Sequence, residues 1–145
     1  MTTSSKTRES DPIRVVVIED NEDDIELLLR QLKKANIAEL VRFIKDGQEA
    51  LDFFIANAEP LSSSLMVIFL DLKLPSVSGL RVLQQIKSLD SLNAIPVVIM
   101  TSSNNPKDLE ECRRLKVANY VQKPITFSSF SKAMADVFHA PQPIS

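Results

Sequence analysis

Acidic, hydroxyl and basic side chains follow apolar runs of this sequence, each at the point where the run ends. Glu19 and Asp20 close the run VVVI, and Asp71 closes the run VIFL. Thr101 closes the run VVIM, and Lys123 comes directly after YVQ. If these runs are neighbouring parallel strands, their carboxyl ends meet at one edge of a sheet. We then expect three carboxylates, one hydroxyl and one ammonium in a single pocket.

Three carboxylates in one pocket need a positive charge beside them. At a separation of about 4 Å, each ionised pair repels by about 4 kcal/mol at an effective dielectric constant near 20. A ligand set made only of oxygens favours Mg²⁺, with Mn²⁺ as an alternative, over zinc. Because Mg²⁺ held by one or two carboxylates usually also binds phosphate oxygens, the expected substrate is a phosphoryl group.

Asp71 is the expected nucleophile of this pocket. A carboxylate can accept a phosphoryl group and form an aspartyl phosphate. Asp71 ends the most apolar of the runs and precedes the proline-containing loop LKLPSVSG. Glu19 and Asp20 would then supply the metal site, while Thr101 and Lys123 would donate hydrogen bonds to the phosphoryl oxygens.

The elements that position these residues are five apolar runs that alternate with five amphipathic segments. We predict strands over 13–19, 38–44, 65–71, 95–101 and 118–122, and helices over 21–36, 47–58, 79–90, 105–116 and 126–139. This alternation predicts an α/β fold, a doubly wound five-stranded parallel sheet with helices on both faces. We place residues 1–11 in a flexible N-terminal tail, 12–140 in one domain and 141–145 in a C-terminal tail.

Composition excludes several classes of function. A net charge of −2 and basic runs no longer than two residues argue against a nucleic-acid-binding protein. The apolar runs are far shorter than the roughly 20 residues of a membrane-spanning helix. One cysteine and one histidine, Cys112 and His139, exclude an internal disulfide and argue against a zinc site. The polar N-terminus does not resemble a secretory signal, so we expect a cytoplasmic protein.

Several further side chains are assigned structural roles. Glu22, Asp23 and Asp24 lie in the first turn of the first predicted helix, where the helix dipole favours acids, and we assign them no chemistry. Apolar residues at helical spacing predict the buried face of the second helix, which includes Ile55. The phenylalanine stripe of the last helix, which includes Phe127, is expected to be core or a partner surface.

Over residues 13–138 the chain resembles the receiver domain of bacterial two-component response regulators. The resemblance rests on VVVIEDN, IFLDLKLPSVSG, VVIMTSS and YVQKP in this order, a combination that is specific although each motif alone is weak. It implies the flavodoxin-like strand order 2-1-3-4-5. It also implies that Asp71 accepts a phosphoryl group from a phosphohistidine on a histidine kinase or a phosphotransfer protein.

The resemblance assigns roles at the metal site. It implies that Asp20 and Asp71 bind Mg²⁺ directly and that Glu19 acts through a water molecule. The backbone carbonyl of Lys73 would complete the protein ligands.

The resemblance also implies a switch. The hydroxyl of Thr101 would move to the phosphoryl group, and the ring of Tyr120 would turn inward behind it. Lys123-Pro124 is similar to the cis-proline turn of the family, which aims the ammonium at Asp71. The face formed by the fourth helix, the fifth strand and the fifth helix would then bind a downstream protein or a second copy of the chain.

The sequence is similar to stand-alone receivers that pair with phytochrome-type histidine kinases. It departs from the common family pattern at Ser78-Gly79, where many members carry an aspartate before the glycine. Lys73 and Ser103 occupy positions that tune phosphoryl lifetime in this family, and the lifetime stays open.

Two other classes of function remain as alternatives. One is a small Mg²⁺-dependent phosphatase or phosphotransferase with an aspartyl nucleophile, although such enzymes usually carry a second aspartate where this chain has Lys73. The other is a receiver-fold adaptor that is not phosphorylated. Flavin binding on the same architecture lacks a phosphate loop after the first strand.

Overall fold

The computed structural model describes residues 12–102 and 104–139 of the chain, without the side chains of residues 138 and 139. The predicted tails 1–11 and 141–145, Ser103 and the imidazole of His139 therefore lie outside the described parts. Within the described ranges, no helix has both the length and the apolar character that crossing a membrane requires.

Over the residues that the structure describes, five strands alternate with five α-helices, as the sequence predicts. The strands are β1 (Val15–Ile18), β2 (Val41–Ile44), β3 (Val67–Asp71), β4 (Val97–Thr101) and β5 (Asn119–Gln122). The helices are α1 (Glu22–Lys34), α2 (Gly47–Ser64), α3 (Gly79–Ser88), α4 (Pro106–Arg114) and α5 (Phe127–His139).

The strands form one parallel sheet in the order β2-β1-β3-β4-β5, which confirms the predicted doubly wound topology. Helices α2, α3 and α4 pack on one face of the sheet, and α1 and α5 pack on the other. Every residue of β1, β3 and β4 is buried. These strands are uniformly apolar over most of their length because helices cover both faces of the sheet.

Side-chain caps begin four of the helices close to the carboxyl edge of the sheet. The capping residues, each of which accepts a hydrogen bond from a backbone N–H of the first turn, are Asn21, Asp46, Ser78 and Asn105. Pro106 occupies the start of α4, where its missing N–H is not needed, as predicted. The caps end the loops that leave the strands, so the N-termini of these helices face the edge where the site residues lie.

Two element boundaries differ from the prediction by more than two residues. Residues Ala38–Leu40 form a short 3₁₀ helix rather than the start of β2. Helix α2 continues to Ser64 instead of ending at residue 58, with Pro60 inside it. The backbone leaves helical geometry at Asn57 (φ −122°, ψ 16°), three residues before this proline, and the Asn57 amide donates to the carbonyl oxygen of Phe53. This kink accommodates a proline that would clash in a straight helix.

Two large apolar side chains on the predicted helix faces are exposed. Ile55 is 63% exposed, so its predicted burial is wrong, whereas Phe127, at 61% exposed, is not a core residue and its place on a partner surface stays a prediction. Successive helical residues point about 100° apart, and the neighbouring Phe54 fills the core position instead of Ile55. Phe127 begins α5, where the ammonium of Lys34 lies 5.4 Å from the centre of its ring.

The contrast between Phe54 and Ile55 gives a direct test of the core. Phe54→Ala should lower the free energy of unfolding by about 3–5 kcal/mol, because it removes a fully buried ring. Ile55→Ala in the same helical turn should change it by about 0.5 kcal/mol or less. Urea unfolding measures both values, and a similar loss in the two variants would contradict the assignment of the buried face.

Cys112 gives a test that depends on pH. Burial raises the pKa of its thiol from 9.0 to about 11, and the carboxylates of Asp108 and Glu111 add to this effect. Since the unfolded thiol ionises near 9.0 and the folded thiol near 11, Cys112 lowers the free energy of unfolding progressively as the pH rises through this interval. The Cys112→Ala variant should lack this part of the pH dependence in urea unfolding. A disulfide reagent at pH 8 should also react slowly with the native protein and fast in urea, and equal rates would contradict the burial.

Candidate functional site

The carboxyl ends of β1 and β3 are adjacent in the sheet and bring three acids together. Ile18 pairs with Leu70, Glu19 and Asp20 follow β1, and Asp71 ends β3. One carboxylate oxygen from each acid lies within 4.8 Å of the others. Glu19 and Asp71 are only 1% and 4% exposed, while Asp20 is exposed. The cluster thus has a buried floor and one acid that faces solvent.

The ammonium of Lys123 lies among these acids. Its Nζ atom is 2.6 Å from Oε1 of Glu19 and 2.8 Å from Oδ2 of Asp71. It is also 2.8 Å from Oδ2 of Asp24 in the first turn of α1. The Lys123-Pro124 peptide bond is cis, as predicted, and the backbone N–H of Lys123 donates to the carbonyl oxygen of Thr101. A lysine ammonium has three N–H donors, and three carboxylates surround it here.

The pKa values in this cluster follow from burial and charge. Burial raises the pKa of the Glu19 carboxyl to about 7, although the nearby ammonium of Lys123 acts in the opposite direction. The charge of Asp71 raises the pKa of Glu19 further. Burial alone would lower the pKa of Lys123, but its hydrogen bonds with Asp24, Asp71 and Glu19 outweigh burial and raise it. Lys123 therefore stays charged at neutral pH.

Backbone contacts fix the chain around Asp71. The N–H of Lys73 donates to Oδ1 of Asp71 at 3.1 Å, and the N–H of Gly79 donates to the carbonyl oxygen of Leu72 at 2.8 Å. A Cβ atom at Gly79 would lie 2.1 Å from the carbonyl oxygen of Asp71. Since Gly79 does not have a positive φ, glycine is needed here for space and not for backbone conformation. Helix α3 consequently begins directly on the backbone of Asp71.

The loop between β3 and α3, residues 72–78, is also held at the start of α2. Ser76 has a φ of 66°, and its hydroxyl donates to Oδ1 of Asp46, the cap of α2. The N–H of Gly47 donates to the carbonyl oxygen of Pro75 at 3.1 Å. Lys73 therefore belongs to a loop that is anchored at both α2 and α3.

Thr101 and Tyr120 lie on the same face of the sheet. Tyr120 pairs with Ile99, and Thr101 is two residues beyond Ile99 on β4, so the alternation of side chains gives all three one orientation. This is the face that α2, α3 and α4 cover. Thr101 is fully buried, while Tyr120 is half-buried, and burial raises the pKa of its hydroxyl. The arrangement meets the geometric requirement of the predicted switch, and the switching itself stays a prediction.

The acid cluster fits a hard divalent cation. All its donor atoms are carboxylate oxygens, which Mg²⁺ and Mn²⁺ prefer. It opens into a cleft of about 550 Å³ that is lined by Asp20, Asp24, Asp71, Lys73, Ser102 and Lys123. The cleft leaves room for an anionic ligand beside Asp71, where the ammonium of Lys123 and the N–H of Lys73 can act as donors.

Asp24 is a site residue that the sequence interpretation missed. Its assignment to the helix dipole alone is wrong, because its carboxylate forms an ion pair with Lys123 inside the cleft. Glu22 pairs instead with Lys45, and Asp23 is exposed. No spacing in the sequence separates the three acids, because all of them lie in the first turn of α1 and only the position of Lys123 in the fold selects Asp24.

Comparison with known proteins agrees with this geometry. The family model described as the response regulator receiver domain matches residues 15–135. The solved structure of the bacteriophytochrome response regulator AtBRR is 40% identical, with a TM-score of 0.72, over 92% of this chain and 99% of that one. Response regulator Rcp1 from Synechocystis sp. is 33% identical over 94% of this chain and 89% of its own length.

A solved structure of Rcp1 is described as its Mn²⁺-bound form. It is 28% identical to this chain, with a TM-score of 0.70, and the match covers 92% of this chain and 98% of that one. The relatives thus include phytochrome response regulators and a receiver with a divalent cation. Together with the sheet order and the acid cluster, they show that the chain belongs to the response regulator receiver domain family.

Proposed function

We propose that this receiver accepts a phosphoryl group on Asp71, in the presence of Mg²⁺, from the phosphohistidine of a histidine kinase or a phosphotransfer protein. One observation carries the proposal: Asp71 is a buried carboxylate at a strand end, with Oδ2 at 2.8 Å from an ammonium and Oδ1 at 3.1 Å from a backbone N–H. These donors can hold the charge of a phosphoryl group beside the oxygen that accepts it.

The metal assignment rests on the acid cluster. Asp20 and Asp71 would bind Mg²⁺ directly, Glu19 would act through a water molecule, and the backbone carbonyl of Lys73 would be a further ligand. Mn²⁺ is the alternative, and the Mn²⁺-bound form of Rcp1 supports it. A cation held by these residues would supply positive charge for the phosphoryl transfer.

The phosphoryl transfer needs only the phosphohistidine donor and the carboxylate of Asp71. An oxygen of the Asp71 carboxylate attacks the phosphorus atom, a P–O bond forms, and the P–N bond of the phosphohistidine breaks. The histidine nitrogen that leaves takes up a proton. Lys123 and Thr101 then donate hydrogen bonds to the phosphoryl oxygens and hold them in place.

The output of the reaction is a change of a binding surface. Thr101 would move toward the phosphoryl group and Tyr120 would turn inward, which alters the face formed by α4, β5 and α5. The common orientation of the two side chains on the sheet supports this coupling. The altered face would bind a downstream protein or a second copy of the chain.

The similarity to a bacteriophytochrome response regulator supports a phytochrome-type histidine kinase as the phosphoryl donor. Phosphotransfer to the purified chain from candidate kinases of the source organism, compared at short reaction times, would identify this donor.

An enzymatic role is less well supported than phosphoacceptance. The residue two positions after Asp71 is Lys73, an exposed lysine, where a phosphatase of this type would need a carboxyl group as acid and base. One assay tests both roles, since only an enzyme would hydrolyse many molecules of a phosphate ester per protein molecule.

We predict that Asp71→Asn abolishes phosphorylation. Wild-type protein incubated with acetyl phosphate and Mg²⁺ should gain the mass of one phosphoryl group, and this gain should disappear with a chelator. Asp23→Asn is the matched control, because it removes an exposed carboxylate from the first turn of α1 and should leave labelling intact. Persistent labelling of Asp71→Asn would contradict the assignment of Asp71 as the phosphoacceptor. Absence of labelling in wild type would favour the alternative of a receiver-fold adaptor that is not phosphorylated.

We also predict that Glu19→Gln stabilises the metal-free protein at pH 8. The folded pKa of Glu19, about 7, exceeds the ordinary value of 4.5, so its ionised form costs stability above pH 7. This cost shrinks as the pH falls from about 7 toward 4.5, where the carboxyl is increasingly protonated in both states.

The measurement is urea unfolding with a chelator present. Glu19→Gln should raise the free energy of unfolding on the order of 1–3 kcal/mol at pH 8, with little difference near pH 4.5. Glu26→Gln, on the exposed side of α1, should show no such pH dependence. A less stable Glu19→Gln protein at pH 8 would mean that the contact with Lys123 outweighs the cost of burial.

A further inference from the structure

Asp24 shares the ammonium of Lys123 with the phosphoacceptor. The side chain of Asp24 is only 21% exposed and that of Lys123 only 11%, and their charged atoms lie 2.8 Å apart. The contact joins the first turn of α1 to the loop that follows β5. Asp24 is therefore connected to Asp71 through one shared cation.

Three carboxylates already contact the ammonium of Lys123, so a further oxygen competes with them for it. Glu19, Asp24 and Asp71 all lie within 2.8 Å of Nζ, and the ammonium has three hydrogens. If Lys123 is to donate to a phosphoryl oxygen, we expect one of these contacts to be released. The free-energy cost of that release depends on which of the three carboxylates separates from Lys123.

Solvent access distinguishes the three carboxylates. Glu19 is 1% exposed, so separation from the ammonium would leave a buried carboxylate without its counter-charge. Asp71 carries the phosphoryl group itself. Asp24 is partly exposed and lies in the first turn of α1, where water and the helix dipole both stabilise a free carboxylate. Asp24 is the partner that can leave at the lowest cost.

We propose that Asp24 is a positioning residue that holds the Lys123 ammonium in the unphosphorylated receiver and is exchanged for a phosphoryl oxygen on Asp71. This inference rests on the proposed function of Asp71. Asp24 then competes with the phosphoryl group for one cation and opposes the phosphorylated state. The raised pKa of Lys123, where burial is outweighed by hydrogen bonds with Asp24, Asp71 and Glu19, agrees with a strong contact.

Removal of the competing charge should strengthen the binding of an anionic phosphoryl mimic. In saturating Mg²⁺, Asp24→Asn should bind beryllofluoride about 5-fold more tightly than wild type. Asp23→Asn is the matched control, because it removes the same charge from the same helical turn without a contact to Lys123. Asp24→Glu restores the carboxylate and should return the affinity toward that of wild type.

Isothermal titration of each variant with Mg²⁺ alone, and then with beryllofluoride in saturating Mg²⁺, separates the two roles that Asp24 could have. Beryllofluoride affinity in Asp24→Asn that equals that of Asp23→Asn, or is weaker, overturns the proposal. So does a loss of Mg²⁺ affinity of about tenfold or more, which would make Asp24 a metal ligand.

Two controls keep the outcome interpretable. If Asp24→Asn does not fold, Asp24→Ala is read in the same way, since alanine has the highest helix propensity and Asn21 still caps α1. If wild type fails to bind beryllofluoride at all, the proposed function of Asp71 fails. If wild type binds it and Asp24→Asn gives no gain, only the role of Asp24 fails.

Discussion

The structure of the site depends on a balance between one ammonium and the carboxylates around it. Glu19, Asp20, Asp24 and Asp71 come from two strand ends and a helix start, and Lys123 is the cation that contacts three of them. Without a cation at its centre, the repulsion between these acids would push the strand ends and α1 apart. The parallel sheet brings the acids together, and the charge of Lys123 makes their proximity stable.

This balance also explains why a divalent cation suits the site. Among the described residues that line the cleft are three carboxylates, Asp20, Asp24 and Asp71, and two lysines, Lys73 and Lys123. The buried carboxylate of Glu19 adds a fourth negative charge next to the ammonium of Lys123. The remaining negative charge lies beside Asp20, which faces solvent. A cation that arrives there meets oxygen ligands that are already in place, and it adds the charge that a phosphoryl group requires.

Much of this arrangement could be predicted from the sequence because two simple regularities carry it. Apolar runs that end in Glu19, Asp71 and Thr101 predict both a buried parallel sheet and the edge where the chemistry lies. The prediction failed where a residue has two sufficient explanations. Asp24 fits the helix dipole as well as an ion pair, and only the path of the chain after β5 shows which cation it meets. Ile55 fits an apolar stripe, but the rotation of α2 on the sheet turns it to solvent.

The two glycines of the chain have a mechanical consequence for the loop between β3 and α3. A side chain at Gly47 would collide with the carbonyl oxygen of Val77, and one at Gly79 with that of Asp71. The backbone around this loop thus packs directly against the first residues of α2 and α3, with no room for a Cβ atom at either glycine. A displacement of this loop toward either helix would close a gap that already excludes a Cβ atom. The loop and the starts of α2 and α3 are therefore coupled by direct backbone contact.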